Sequence, residues 1–166
     1  MEEREEAITL YVARAAGKLR FQSSVTGDMP VTIRTNPFKP IEPQYSHGLI
    51  IPLSEATDDT LKLTQTLIFD LKPIYRPGYA YIKVGIMLVK IVQNNQTQVD
   101  LFPDVNARTR YGDLMKTKDT INQRYGKSTV GLGITGIAAR RSWSMKRGNK
   151  TVGYITNWDE LPIVMA

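Results

Sequence analysis

The stretch Gly78 to Val92, GYAYIKVGIMLVKIV, decides the architecture. Its side chains alternate: Ile82, Val84, Ile86 and Leu88 fall on one face, and Tyr81, Lys83, Gly85 and Met87 on the other. A period of two over this length predicts one long strand with an aliphatic face to bury and a mixed face to show to solvent.

The segments before it supply what that aliphatic face needs. SEATDDTLKLTQTLIFDLKPIY, residues 54–75, has helical spacing, opened by Thr57 or a neighbouring Asp as N-cap, with Leu61, Ile68, Leu71 and Tyr75 sharing a face. HGLIIPL, residues 47–53, reads as a strand, and MPVTIRT, residues 29–35, as another, with Val31 and Ile33 opposed to Thr32 and Arg34. The proline-rich NPFKPIEPQY between them is barred from helix by its missing N–H groups. Residues 2–20 predict a helix carrying Ile8, Tyr11 or Val12, Ala15 or Ala16, and Leu19 at helical spacing. Its acidic start and basic end suit the helix dipole.

The order helix, strand, strand, helix, strand predicts an α+β domain over residues 1–92, with two helices packed on one face of a small, mostly antiparallel sheet. A ferredoxin-like arrangement is completed by one more strand before the first helix, which this chain begins too late to show. QNNQTQ, residues 93–98, has no apolar periodicity, so residues 93–112 are expected to be a linker. Residues 113–166 are expected to be a small basic C-terminal extension. It holds a short helix over 113–124, with Leu114, Met115 and Ile121, and strand-like pieces at 128–132 and 151–156. No internal repeat is present.

Hydrophobic residues make up 42% and charged residues 23% of the 166, ordinary values for a folded domain. No apolar run approaches the roughly 20 residues that cross a bilayer, and the acidic N-terminus is unlike a secretory signal; a cytoplasmic protein without membrane association is expected. Zero cysteines and one histidine exclude disulfides and Cys/His zinc sites. His47 lies in YSHGL without a nucleophile-elbow sequence, and a loop or strand edge is its expected place. Asp58-Asp59 opens a helix, where capping accounts for carboxylates without metal or acid–base chemistry. GLGITG, residues 131–136, fits G-x-G-x-x-G, but the basic segment after it ends at Gly148 and does not open a βαβ unit. Its glycines are expected to serve a turn and close packing.

The net charge of +6 is unevenly placed. Through Phe102 there are 11 Lys/Arg and 11 Asp/Glu; from Pro103 onward there are 11 against 5. Arg140, Arg141, Lys146, Arg147 and Lys150 cluster about Trp143, a combination suited to a polyanion or an acidic protein. On the sheet's outward face Thr32, Arg34, Tyr81 and Lys83 are candidate contacts to a phosphate backbone, with Gly85 leaving the main chain open. Gln98-Val99-Asp100-Leu101-Phe102, QVDLF, puts an apolar pair directly after the polar stretch. Such a run is either a last strand turn tucked on the core or an extended peptide that fills a partner's pocket.

QVDLF resembles the bacterial sliding-clamp-binding motif, with Val99 where Leu is usual. RAAGKLR, TNPFKPIEPQY, GYAYIKVGIML, QVDLF, LMKTKDTINQRYGKSTVGLG, WSMKR and YITNWDELP are, in that order, similar to segments of the UmuC-like Y-family translesion DNA polymerases. The resemblance implies that residues 1–92 are the little-finger domain that grips template-primer DNA and that Gln98, Val99, Asp100, Leu101 and Phe102 dock on the clamp. It implies that the extension meets a UmuD′-like accessory subunit and the RecA filament, all in SOS mutagenesis. It also implies no catalytic residue and no cofactor in this chain, since the palm carboxylates that hold Mg2+ in the parent polymerase have no counterpart here. The alternative expectation is a protein-interaction adaptor without DNA binding.

Overall fold

The computed structural model describes residues 2–96, 105–126 and 128–135. Helix α1 spans Glu2–Phe21, strand β1 Ser24–Thr35, β2 Ser46–Thr57, helix α2 Thr60–Leu71, strand β3 Tyr81–Ile86, β4 Val89–Gln93 and helix α3 Val105–Tyr125. The first six form the expected α+β layer pair: α1 and α2 touch each other and lie on the sheet.

β1 is central, antiparallel to β2 on one side and to β3 and β4 on the other. β3 and β4 keep one register along β1, with Val31 facing Ile86 and Asp28 facing Val89. The long strand read from Gly78–Val92 is therefore one ladder, interrupted around Met87-Leu88. The break faces Pro30, which has no N–H to donate; its carbonyl still accepts from Met87 N at 2.9 Å.

The core is built from Ile8, Val12 and Ala16 of α1, Met29, Val31 and Ile33 of β1, Ile51 of β2, and Leu63, Leu67 and Leu71 of α2, closed by Ile74. The α1 stripe is the one its spacing predicts. The α2 stripe is so only at Leu71: Leu63 and Leu67 are buried with it, whereas Leu61 and Ile68 are only half-buried and Phe69 is exposed. This helix has apolar residues on several sides, so docking rather than periodicity selects the buried one. Its N-cap is Asp59, whose carboxylate accepts from Leu61 N at 2.8 Å. Residues Ser54–Thr57, read as the helix entrance, continue β2.

α3 begins at Val105, inside the span expected to be linker, and exceeds the predicted helix at its N-terminal end. Met115 is its buried apolar contact. Asn122 then folds the chain back: its amide donates to Val130 O and accepts from Val130 N, both at 2.9 Å. Residues 128–132 are thus a turn and not the expected strand: the Asn122 amide, not a neighbouring strand, meets both backbone groups of Val130. The GLGITG segment enters a short 3-10 turn, Gly133–Thr135, that packs on α1. The predicted piece at 151–156 lies outside the described residues.

Candidate nucleic-acid interface

Register across β2, β1 and β3 sorts the outward face into rows. Ser46, Arg34 and Lys83 form one; Gly48, Thr32 and Gly85 the next; Ile50 and Pro30 oppose each other in the third, with Met87 beside them. Arg34, Thr32 and Lys83 are exposed, as the alternation predicts.

Tyr81 departs from that pattern. Between Arg34 and Thr35 the register with β3 shifts, Arg34 facing Lys83 and Thr35 facing Tyr81, so Ile82 is an extra residue on β3. Such a bulge reverses the side-chain alternation beyond it. Tyr81 consequently packs against the core, while Ile82, expected inside, is 60% exposed. Tyr81 is withdrawn from the phosphate-facing set on this ground.

Arg34 and Lys83 stand directly opposite each other on adjacent strands. Like charges in that relation are destabilising, and a bound anion removes the penalty. Among the described residues no carboxylate forms an ion pair with either. Three lysines of the same domain contrast with them: Lys39 pairs with Glu42 at 2.7 Å, Lys62 with Glu55 at 3.7 Å and Lys90 with Asp28 at 2.7 Å.

The glycine row explains why a backbone could come close. A Cβ on Gly85 would stand 2.7 Å from Thr32 Oγ1, and one on Gly48 3.2 Å from Thr32 Cγ2. Thr32 fills the space that both glycines leave, and the strip stays flat beside the cation row. Gly48 escaped the sequence reading because only strand pairing sets it opposite Thr32. Cations beside a flat strip suit a polyanion held by its backbone rather than by its bases.

At the end of the sheet Tyr45, Tyr75, Tyr79 and Tyr81 form a ring cluster. His47, on the edge strand β2, stacks on Tyr45 with centroids 6.2 Å apart and planes at 18°. The Arg76 guanidinium carbon lies 5.0 Å from the Tyr45 ring centroid. Sequence periodicity offered no signal for this grouping, since its members come from three separate segments.

Behind the sheet, Asp58 and Asp59 serve structure. Asp59 caps α2, and burial pushes the Asp58 carboxyl up from its ordinary range, more than the neighbouring Arg20 pulls it down. Among the described residues no group of three or more His, Cys, Asp or Glu is arranged to hold a metal ion. No described helix is long and apolar enough to cross a membrane. Gln98 to Phe102 and the cations around Trp143 lie outside the described residues.

Comparison with known proteins bears on the whole chain. Residues 1–101 match the impB/mucB/samB family C-terminal domain, and residues 112–164 match a domain of unknown function, DUF4113. Protein ImpB of Salmonella typhimurium is 33% identical over 158 residues, covering 95% of this chain and 37% of its own length. Protein UmuC of Salmonella typhimurium strain LT2 is 31% identical over 160 residues, 96% of this chain and 37% of its own. Protein MucB of Escherichia coli is 33% identical over 159 residues, with the same coverage of 96% and 37%. The chain thus spans little more than a third of the length of these relatives.

Proposed function

The chain belongs to the impB/mucB/samB C-terminal domain family, and from that premise we propose that it is the DNA-holding, clamp-tethering, non-catalytic portion of a UmuC-like error-prone translesion polymerase of SOS repair. In this reading Arg34 and Lys83 contact phosphates of the template-primer duplex, with Thr32 beside them and the Gly48–Gly85 strip letting the duplex backbone approach. Gln98, Val99, Asp100, Leu101 and Phe102 dock on the bacterial sliding clamp. The extension, residues 113–166, meets a UmuD′-like subunit and RecA. Nucleotide transfer and its Mg2+ are left to a palm outside this chain.

The observation that carries the DNA assignment is the facing pair Arg34–Lys83, exposed and without a carboxylate partner among the described residues. Its mechanism is avidity: a salt-sensitive phosphate contact and a peptide–pocket contact joined in one chain hold longer than either alone. Filter binding of a blunt duplex across a salt series tests it. Arg34→Glu with Lys83→Glu is expected to weaken binding and to make the salt slope shallower by about 2, one per lost phosphate contact. An unchanged slope overturns the assignment.

One observation favours the adaptor reading. Ile50 and Met87 of the third row are each 63% exposed, more apolar surface than phosphate contact uses. If Ile50→Ser with Met87→Ser abolishes capture of the clamp and the wild-type protein shows no salt-dependent duplex binding, the adaptor reading replaces the DNA reading.

A further inference from the structure

The ring cluster at the sheet's end has a use that packing alone leaves unaccounted for. Its inner members are pinned: Tyr45 Oη donates to Ile74 O at 2.7 Å, and Tyr81 Oη donates to Arg76 O and accepts from Arg76 N, both at 3.0 Å. These bonds hold the 75–81 connection and set Arg76 over Tyr45. The two outermost groups, His47 and Arg76, are exposed. An imidazole stacked on the Tyr45 ring and a guanidinium over the same ring place two exposed planar groups on one aromatic support.

The position relative to the cation row matters as much as the chemistry. His47 faces Ile33 in the register, next to the Ser46–Arg34 pair. It therefore shares the face of Ile33, opposite to that of Arg34, at the edge of the sheet and one strand spacing, about 5 Å, from β1. β2 is the outer strand, so a chain held at Arg34 and Lys83 reaches His47 by passing around an open edge.

Bases inside a duplex are already stacked on each other and have no free face. Unpaired bases do, and they stack on aromatic side chains and arginine planes with little regard to sequence. We propose that His47 and Arg76 form a stacking site for an unpaired base of single-stranded DNA, placed to receive the strand where it leaves the duplex held by the sheet face. The location rests on the DNA reading above; the stacking site itself does not need the duplex.

The test uses the 166-residue protein and three labelled DNAs: a blunt duplex, the same duplex with a 5′ overhang, and a single strand. 2-Aminopurine at the first unpaired position reports stacking by quenching. Wild type is expected to bind the overhang DNA more tightly than the blunt duplex and to quench the probe. His47→Ala with Arg76→Ala is expected to lose about five- to 160-fold on the single strand, since stacking contributes about 1–3 kcal/mol per base. It should remove the overhang preference and leave blunt-duplex affinity within about twofold, with an unchanged circular dichroism spectrum. His47→Phe with Arg76 intact should keep the quenching, because it preserves the ring and removes the titratable nitrogens.

Equal wild-type affinity for overhang and blunt DNA overturns the proposal. So does an equal loss on all three DNAs in the double variant, or loss of quenching in His47→Phe. The two readings fail separately. If Arg34→Glu with Lys83→Glu leaves blunt-duplex binding intact while His47 still governs quenching, the sheet-face reading falls and the stacking site stands.

Discussion

Arg20 and Asp119, 99 positions apart, meet in a two-pronged ion pair: Arg20 Nε donates to Asp119 Oδ2 at 2.5 Å and Nη2 to Oδ1 at 3.0 Å. The same guanidinium donates through Nη1 to Asp58 O at 2.6 Å and to Thr60 Oγ1 at 3.0 Å. One side chain at the end of α1 thus joins the start of α2 to α3, linking the segment matched by one domain family to the segment matched by the other. The Arg20 side chain is 10% exposed, so its charge depends on these acceptors rather than on water.

Asp119→Ala strands that guanidinium with two neutral acceptors. A loss of about 2 kcal/mol is expected, below the 3–5 typical of a fully buried pair because Asp119 keeps some solvent. Urea unfolding measures it. Arg20→Lys is expected to recover only part, since an ammonium cannot span both carboxylate oxygens and the Asp58 carbonyl.

Asp58 predicts a pH dependence. Its folded pKa is raised, chiefly by burial, so the native state holds its proton more tightly than the unfolded chain does. The sign follows: stability attributable to this group is greatest below the unfolded value of 3.8 and declines as pH rises through the folded one. Asp58→Asn removes the decline. The melting temperature of the variant should gain on wild type between about pH 3 and pH 6. A difference independent of pH would show that another contact of Asp58 dominates.

Lys118 acts in the opposite direction at the alkaline end. Burial, then repulsion from Arg20, lowers its pKa, outweighing the attraction of Asp119. The unfolded chain binds that proton more tightly, so this group's contribution rises with pH from its lowered folded value toward 10.5. Lys118→Met is expected to stabilise the protein most at neutral pH and progressively less toward about pH 10 in thermal melts.

Gly85 and Thr32 should behave as a coupled pair. Gly85→Ala places a methyl 2.7 Å from Thr32 Oγ1, and a cost of about 1–2 kcal/mol is expected. Thr32→Ala removes the obstructing atoms, so the double variant should be more stable than the sum of the singles implies. Additive losses in a denaturation series would mean that the strand backbone, not Thr32, resists the methyl.

Leu101→Ala with Phe102→Ala tests the tether by itself. Capture of the purified sliding clamp should be lost while blunt-duplex affinity stays unchanged, since hot-spot anchors of this kind contribute at least about 2 kcal/mol each. Retention of clamp binding would remove QVDLF from the proposed function.

The candidate site was partly legible before folding. Thr32, Arg34 and Lys83 follow from alternation, because a strand's stereochemistry sends successive side chains to opposite faces wherever the ladder is unbroken. Tyr81 lies beyond the point where the β1–β3 register shifts, and there alternation gives the wrong face. A bulge is a property of two strands together, and β3 by itself carries no mark of the extra residue at Ile82.

Local periodicity and composition determined the two helices, the strands, the interior face of α1 and the cations of the outward sheet face. Those features depend on neighbours within a few positions, which the chain spells out directly. Tertiary structure alone decided which stripe of α2 is buried, where the long strand breaks against Pro30, how Gly48 comes to flank Thr32, and that Arg20 reaches Asp119. Each of these is a contact between segments remote in sequence, and packing chose it from several arrangements with the same local pattern.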